Sequence, residues 1–317
     1  MQVVHDALNN TDLPYGGIAT IGNYDGIHRG QRHVIERVVE RARAQGVQAI
    51  VISFDPHPKS VLRPESAPRL LTVLSQKEAL LAEIGVDVLL LVRFTREFSR
   101  QPAEVFAREF LARRLALQEL YVGADFAFGH RRQGTVEMLQ GLSEELGFTT
   151  TGVDPVVHQG EIISSTRIRR ALGKGQIDLV TELLGRPYAL AGKVVRGERM
   201  GMRLGWPTIN LMPDNECLPS DGVYATEVHF GKWPAPFDGV TNVGTRPTVY
   251  EHCHRVVESH ILDFNSDVYG EGVEIRFHKR LREERMFPTV MDLSAQIGRD
   301  VEEAREYFSS RRRLQER

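Results

Sequence analysis

The chain has 317 residues, enough for two domains of ordinary size with a core each. At 41% hydrophobic and 26% charged, with a formal net charge of −2, it has the composition of a globular protein and lacks the basic excess of a dedicated nucleic-acid binder. Two cysteines, Cys217 and Cys253, without CxxC spacing offer neither a disulfide framework nor a zinc knuckle.

The opening stretch, MQVVHDALNN, lacks the apolar core of a signal peptide, and the strongest apolar run, VDVLLLV (86–92), is too short to span a bilayer. A cytoplasmic protein with no membrane or nucleic-acid partner is expected. The sequence carries no signal for an oligomeric state.

GIATIG (17–22) reads as a strand. RHVIERVVERARAQG follows as a helix, with Ile35, Val38, Val39 and Ala42 on one face and Gly46 as its C-cap. AIVISF (49–54) is a second strand, SQKEALLAEIG a helix capped by its serine, and VDVLLLV a third strand. PAEVFAREFLARRLA is a helix opened by Pro102, and LYVGADF and TTTGVDP bracket one more. Continuous apolar strands alternating with helices predict a parallel sheet covered on both faces. After about residue 186 the rhythm becomes short alternating strands with turn signals (PSDGVY, PFDGV, FNSD), closed by the helical stretch DLSAQIGRDVEEAREYFSSRRR. That pattern predicts a small antiparallel barrel with a C-terminal helix, joined to the first half by the helical segment ALGKGQIDLVTELLGRP. The expected domains are 1–185 and 186–317.

In open parallel sheets ligands sit beyond the carboxyl ends of the strands, where three segments should meet. In GNYDGIHRGQRH (22–33), Gly22 and Gly26 let the backbone approach a ligand, the helix beginning near Gly30 offers its N–H groups, and His28 can donate to a phosphate. A glycine-rich strand-to-helix turn is also plain chain geometry. In SFDPHP (53–58) two prolines fix His57, and a structural loop accounts for it nearly as well. In ISSTRIRRAL (163–172), Ser164, Ser165 and Thr166 precede a short helix bearing Arg167 and Arg169, which makes either an anion site or an ordinary cap.

The densest stretch is GKVVRGERMGMRLGWPTINL (192–211). Gly197, Gly201 and Gly205 alternate with Arg196, Arg199 and Arg203 in a loop able to wrap phosphates. After the rigid Pro207, Thr208 and Asn210 share a strand face and are neutral oxygen ligands suited to Mg²⁺ when phosphates supply the charge. In VESHI, alternation puts Glu258 and His260 on one face and Ser259 on the other. Alone, Glu258 reads best as a solvated strand glutamate. HCH (252–254) reads as a strand rim, and RRRLQER as a frayed helix tail.

The combination TIGNYDGIHRG, FDPHP, VGADFAFG (122–129) with Gly134, and SSTRIR resembles the adenylyltransferase half of the prokaryotic bifunctional riboflavin kinase/FAD synthetases, in the HxGH nucleotidyltransferase superfamily. The second half resembles the riboflavin kinase domain through its GxVxxG…LGFPTxN signature, with Trp206 for the aromatic, and through DGVYA, NVGTRPT, VESHILDF, DVYG and LREERMF.

The resemblance implies a Rossmann-like N-terminal domain and a kinase barrel, working on ATP, riboflavin and FMN with Mg²⁺ and forming FAD. It implies that Gly22, Asp25, Gly26, His28, Gln31, Ser165, Thr166 and Arg169 serve the nucleotide of the first half. His57, Asp125 and Phe126 would belong to its flavin cleft. In the second half, Gly192, Arg196, Gly197, Gly201, Arg203, Gly205 and Pro207 would cover the nucleotide, Thr208 and Asn210 would hold the metal, and Glu258 would be the general base. Asn242, Arg246 and Arg282 would shape the flavin and nucleotide pockets.

One position departs from the pattern: Gln31 stands where HxGH has its second histidine. Its amide can donate at similar reach but cannot become cationic, which could cost about 10²–10³ in rate. His33 lies roughly 200° further round the helix and cannot substitute. The alternative expectation is therefore a monofunctional riboflavin kinase with an impaired first half.

Overall fold

In the computed structural model, which describes residues 1–197, 200–246 and 254–315, the chain divides into two compact units, Met1–Ser164 and Ser165–Arg317. The connecting helical segment thus clusters with the second unit. Arg199, Pro247 and Thr248, and His252 and Cys253 of the HCH tripeptide, lie outside the described residues.

The first unit runs β1 (Gln2–Val4), β2 (Ile18–Ile21), α1 (Arg29–Gln45), β3 (Ala49–Asp55), α2 (Pro58–Leu62), α3 (Leu74–Ile84), β4 (Val88–Arg93), α4 (Ala103–Phe106) and β5 (Glu119–Gly123). It continues with β6 (Ala127–Phe128), β7 (Gly134–Thr135), α5 (Val136–Leu146), β8 (Thr149–Val153), β9 (Val157–His158) and β10 (Glu161–Ile162). Six strands form one parallel sheet in the order β1-β4-β3-β2-β5-β8. Alternation along the strands sends Ile50, Ile52, Leu90 and Val92 to one face, against Phe106, Phe110 and Phe148. Val51, Leu89 and Leu91 go to the other, against Ile35 and Leu81. Both faces are buried, as the continuous apolar runs require.

Several local expectations change. The edge strand β1 lies within the opening stretch that carried no strand signal. α3 begins one residue before the serine: Val73 is its N-cap, and the Val73 N–H donates to Gln76 Oε1 at 3.3 Å. The helix after Pro102 widens into a π-helix over Ala107–Arg114, where Leu115 N bonds the Phe110 carbonyl five residues back. The wider winding buries Phe106, Phe110, Leu111 and Leu115 together.

The second unit runs α6 (Ser165–Gly173), α7 (Ile177–Leu184), β11 (Tyr188–Val195), α8 (Met200–Arg203), β12 (Ile209–Pro213), β13 (Gly222–Phe230), β14 (Phe237–Arg246), β15 (His254–Ile261), β16 (Gly272–Arg282) and α9 (Val290–Gln315). The strands close as β11-β12-β15-β14-β13-β16. Inside the barrel Tyr224 packs edge-on against Phe277, and the hydroxyls of Thr226, Thr241 and Ser259 form a buried chain at 2.7 and 3.0 Å. Outside, Val301, Ala304 and Phe308 of α9 pack on Val223, Ala225 and Val240.

Two arginines near the C-terminal end of α9 are anchored. Arg312 pairs with Asp238 at 2.9 Å, and Arg311 donates to Nδ1 of the buried His278, whose Nε2 lies 3.0 Å from Glu227. His229 at 3.6 Å, together with His278, holds the Glu227 carboxyl far below the usual range. A carboxylate with a depressed folded-state pKa contributes stability that is complete above its unfolded value of about 4.3 and is lost as pH falls below it. Glu227→Gln should therefore cost about 2 kcal/mol in denaturant unfolding at pH 7. The gap from wild type should close progressively below about pH 4.

Candidate functional site

In the first unit β2 has β3 on one side and β5 on the other, so the chain order reverses there. This is the switch point at which open parallel sheets bind ligands, and the loops after β2 and β5 flank it. The loop after β2 is unusual: Tyr24 and Ile27 take φ of 45° and 41°, and Gly26 takes 96°. Left-handed φ in a β-branched residue costs of order 1–3 kcal/mol and persists only where the surroundings impose it. Here Tyr24 and Ile27 are buried, and the Tyr24 hydroxyl bonds Thr20. Gly22 leaves room for the Tyr24 ring, which a Cβ would meet at 3.1 Å.

The Asp25 carboxylate points inward. It accepts from Leu71 N at 2.9 Å and from Thr72 N at 3.1 Å, while Thr72 Oγ1 accepts from Gly26 N. The residue expected at the nucleotide thus ties the loop to the segment before α3.

His28 is the N-cap of α1. Its Nδ1 accepts from Gln31 N at 3.2 Å, and Gln31 Oε1 accepts from His28 N at 3.3 Å. The two form a reciprocal capping box, which explains a glutamine at this position. With Nδ1 accepting, the proton of the neutral ring belongs on Nε2. Gly30 lets the Ile163 carbonyl pass 3.6 Å from where its Cβ would stand, so the chain entering the SSTRIR motif runs beside the start of α1.

His57 is the N-cap of α2, its Nδ1 accepting from Lys59 N at 3.2 Å. After β5, Asp125 is exposed and Phe126 stacks on Phe128 at 5.3 Å. Gly129 and Gly134 seat this hairpin on Ala103, which a Cβ on either would meet at 2.6 and 2.5 Å. Ser165, Thr166 and Arg169 open α6 in the second unit, and their assignment to the nucleotide rests on their motif alone.

In the second unit the register decides the site. Asn210 on β12 and Asn242 on β14 both pair directly with Glu258 on β15, so the three side chains form one row across adjacent strands. The row shares a face with Val223 and Ala225, which pack under α9, while Ser259 points to the interior. The row therefore lies on the barrel's outer wall. Thr208 immediately precedes β12.

Two glycines of the 192–205 loop fit closely over Asn210 and Thr208. A Cβ on Gly197 would stand 2.3 Å from Asn210 Nδ2, and one on Gly201 would stand 3.1 Å from Thr208 Oγ1. Gly192 instead serves β11–β12 pairing, facing the Met212 carbonyl, and Gly205 has φ +81°. Arg196 lies over the Tyr269 ring at 5.4 Å, which joins the loop to the DVYG motif. Arg203 and Arg246 end α8 and β14. The Pro207 carbonyl accepts from His260 Nδ1 at 2.8 Å, and Trp206 meets the same ring edge-on.

Arg282 sits in the same row, opposite Val223, but its guanidinium is held by the buried Asp300 at 2.8 to 3.0 Å and lies over Phe287. It fixes α9 and the LREERMF segment rather than reaching outward. Asp300 and Lys77 were missed. Each is a charged residue on the apolar stripe of a helix, Asp300 beside Ile297 and Val301 and Lys77 between Leu74 and Leu81, and that placement is the signal that marks them. Among the described residues no His, Cys, Asp and Glu cluster could hold a metal, and no helix is long and apolar enough to cross a membrane.

Family profiles match both halves: FAD synthetase over residues 11–167 and riboflavin kinase over residues 184–308. The chain is 38% identical over 309 residues to the bifunctional riboflavin kinase/FMN adenylyltransferase of Escherichia coli K12, covering 97% of this chain and 98% of that one. It is 36% identical to the protein of the same name from Haemophilus influenzae, covering 98% and 100%. A crystal structure described as a macrolide-efflux protein from Streptococcus pneumoniae superposes with a TM-score of 0.88 at 28% identity, covering 96% of this chain and 99% of that one. By both halves and over nearly its full length, the chain belongs to the bifunctional riboflavin kinase/FMN adenylyltransferase family.

Proposed function

We propose that the chain phosphorylates riboflavin to FMN with ATP and then adenylylates FMN with a second ATP to FAD and pyrophosphate. Residues 1–185 would carry the adenylylation and residues 186–317 the kinase. The observation that carries the kinase reading is the row Asn210–Glu258–Asn242, with Gly197 closing over Asn210. Family membership with a matched profile in each half supports two reactions. The capping box gives Gln31 a structural role at the start of α1. Two cysteines without CxxC spacing suit a reducing, cytoplasmic setting.

In the kinase, Glu258 takes the proton of the ribityl 5′-hydroxyl as that oxygen attacks the γ-phosphate and ADP leaves. Thr208 and Asn210 present neutral oxygens beside this carboxylate, under glycines packed so closely that a side chain on them would collide, and this set fits Mg²⁺ bound together with phosphates. Bound there, the ion would neutralise phosphate charge. The 192–205 loop covers the nucleotide, with Arg196 and Arg203 as its cations, and Asn242 and Arg246 flank the flavin. Arg282 acts through α9, as a positioning residue.

In the adenylyltransferase, the FMN phosphate attacks the α-phosphate of ATP in line and pyrophosphate leaves. No covalent enzyme intermediate is needed, so catalysis is positioning and charge stabilisation. His28 Nε2 and the first N–H groups of α1 serve the phosphates, and Phe126, Asp125 and His57 serve the flavin side.

Chromatography of products formed from riboflavin or FMN with ATP and Mg²⁺ tests the division of labour. Glu258→Ala should lower riboflavin phosphorylation by about 10²–10⁴-fold and leave adenylylation measurable. His28→Ala should do the reverse, and equal silencing of both reactions by either variant would overturn the assignment. Gly197→Ala should raise the kinase KM for ATP about tenfold or more, with FAD formation from FMN unchanged. Gln31→Ala should destabilise the first unit by about 1 kcal/mol, and Gln31→Glu, which keeps the accepting oxygen, should not.

A further inference from the structure

Lys77 occupies a position on α3 where an apolar residue would pack, in line with Leu74 and Leu81 over the sheet. Its Nζ donates to the Asn23 carbonyl at 3.0 Å and lies 3.4 Å from Ser53 Oγ. Ser53, fully buried at the carboxyl end of β3, donates to the same carbonyl at 3.2 Å. Two donors thus converge on one peptide oxygen in the strained loop after β2. Because a trans peptide is planar, fixing the Asn23 carbonyl also fixes the direction of the Tyr24 N–H. The charges of Asp25 and Asp55 act on the ammonium, opposing the burial that pulls its pKa below the ordinary lysine value.

A cation at this place answers an electrostatic problem. The switch-point crevice has to admit a triphosphate and a flavin phosphate, yet two carboxylates stand at its edge, one inside the loop and one at the end of β3. Like charge at a binding site lowers the local concentration and affinity of an anion, and a nearby cation restores them.

We propose that Lys77 is a positioning residue of the adenylylation site, holding the Asn23–Tyr24 peptide and offsetting the charge of Asp25 and Asp55 so that the loop accepts anionic substrates. This rests on the reading of that loop as the phosphate site.

The test uses the full chain as wild type, Lys77→Met, Lys77→Arg and the double variant Lys77→Met/Asp55→Asn. Asp55 is exposed, so its change to asparagine leaves the fold intact. Each is assayed for FAD formation from FMN and ATP, and for riboflavin phosphorylation as an internal control. Lys77→Met should raise the adenylylation KM for ATP about 10–100-fold, with a smaller change in kcat and an unaltered kinase reaction. Lys77→Arg should restore most of the loss. Removing the Asp55 charge from the methionine variant should recover KM in part, which a purely structural peptide anchor would not do. An unchanged KM in Lys77→Met, or no recovery in the double variant, overturns the proposal. So does a parallel loss of both activities and of melting temperature in the methionine and arginine variants. A wild-type chain that makes FMN but no FAD would instead overturn the reading of the site itself.

Discussion

A buried carboxylate holds the first half of this protein in working shape. Asp25 accepts hydrogen bonds from the amides of Leu71 and Thr72, which belong to a segment far along the chain, and so clamps a loop whose backbone resists its own conformation. Charge-assisted bonds of this kind are roughly twice as strong as neutral ones, and burial of Tyr24 and Ile27 adds to them. The strain at Tyr24 and Ile27 is thereby offset, and α1 starts at His28 with its N–H groups presented at the switch point of the sheet. Lys77 and Ser53 hold the other end of the same loop from beneath.

In the second half the corresponding constraint is register. Side chains alternate with a period of two, so a one-residue slip of β15 would turn Glu258 inward and Ser259 outward. The interior hydroxyl chain of Thr226, Thr241 and Ser259 opposes that slip, because each group would lose its buried partner. The outer row of Asn210, Glu258 and Asn242 is thus specified by polar contacts on the opposite face of the sheet. α9 completes the arrangement through Asp300 on Arg282 and through Arg311 on His278 and Arg312 on Asp238.

The two halves shape their candidate sites by different means. The first uses a helix start behind a strained loop. The second lays glycines against Thr208 and Asn210, so that the backbone approaches where any side chain would collide.

By itself the sequence determined the alternation of apolar strands and helices, the change to a barrel near residue 186, and the motif set that marks the family, because periodicity and short motifs are local properties of the chain. It also singled out His28, Glu258, Thr208 and Asn210 as candidates, whose residue types are informative beside their neighbours. The tertiary structure alone decided which way those groups point and what holds them. Asp25 meets the amides of Leu71 and Thr72, and Arg282 meets Asp300. The turn of α1 brings Gln31 back to His28, and the sheet sets Lys77 beneath Asn23. In each case the deciding contact is made by folding, between groups whose pairing no spacing rule announces.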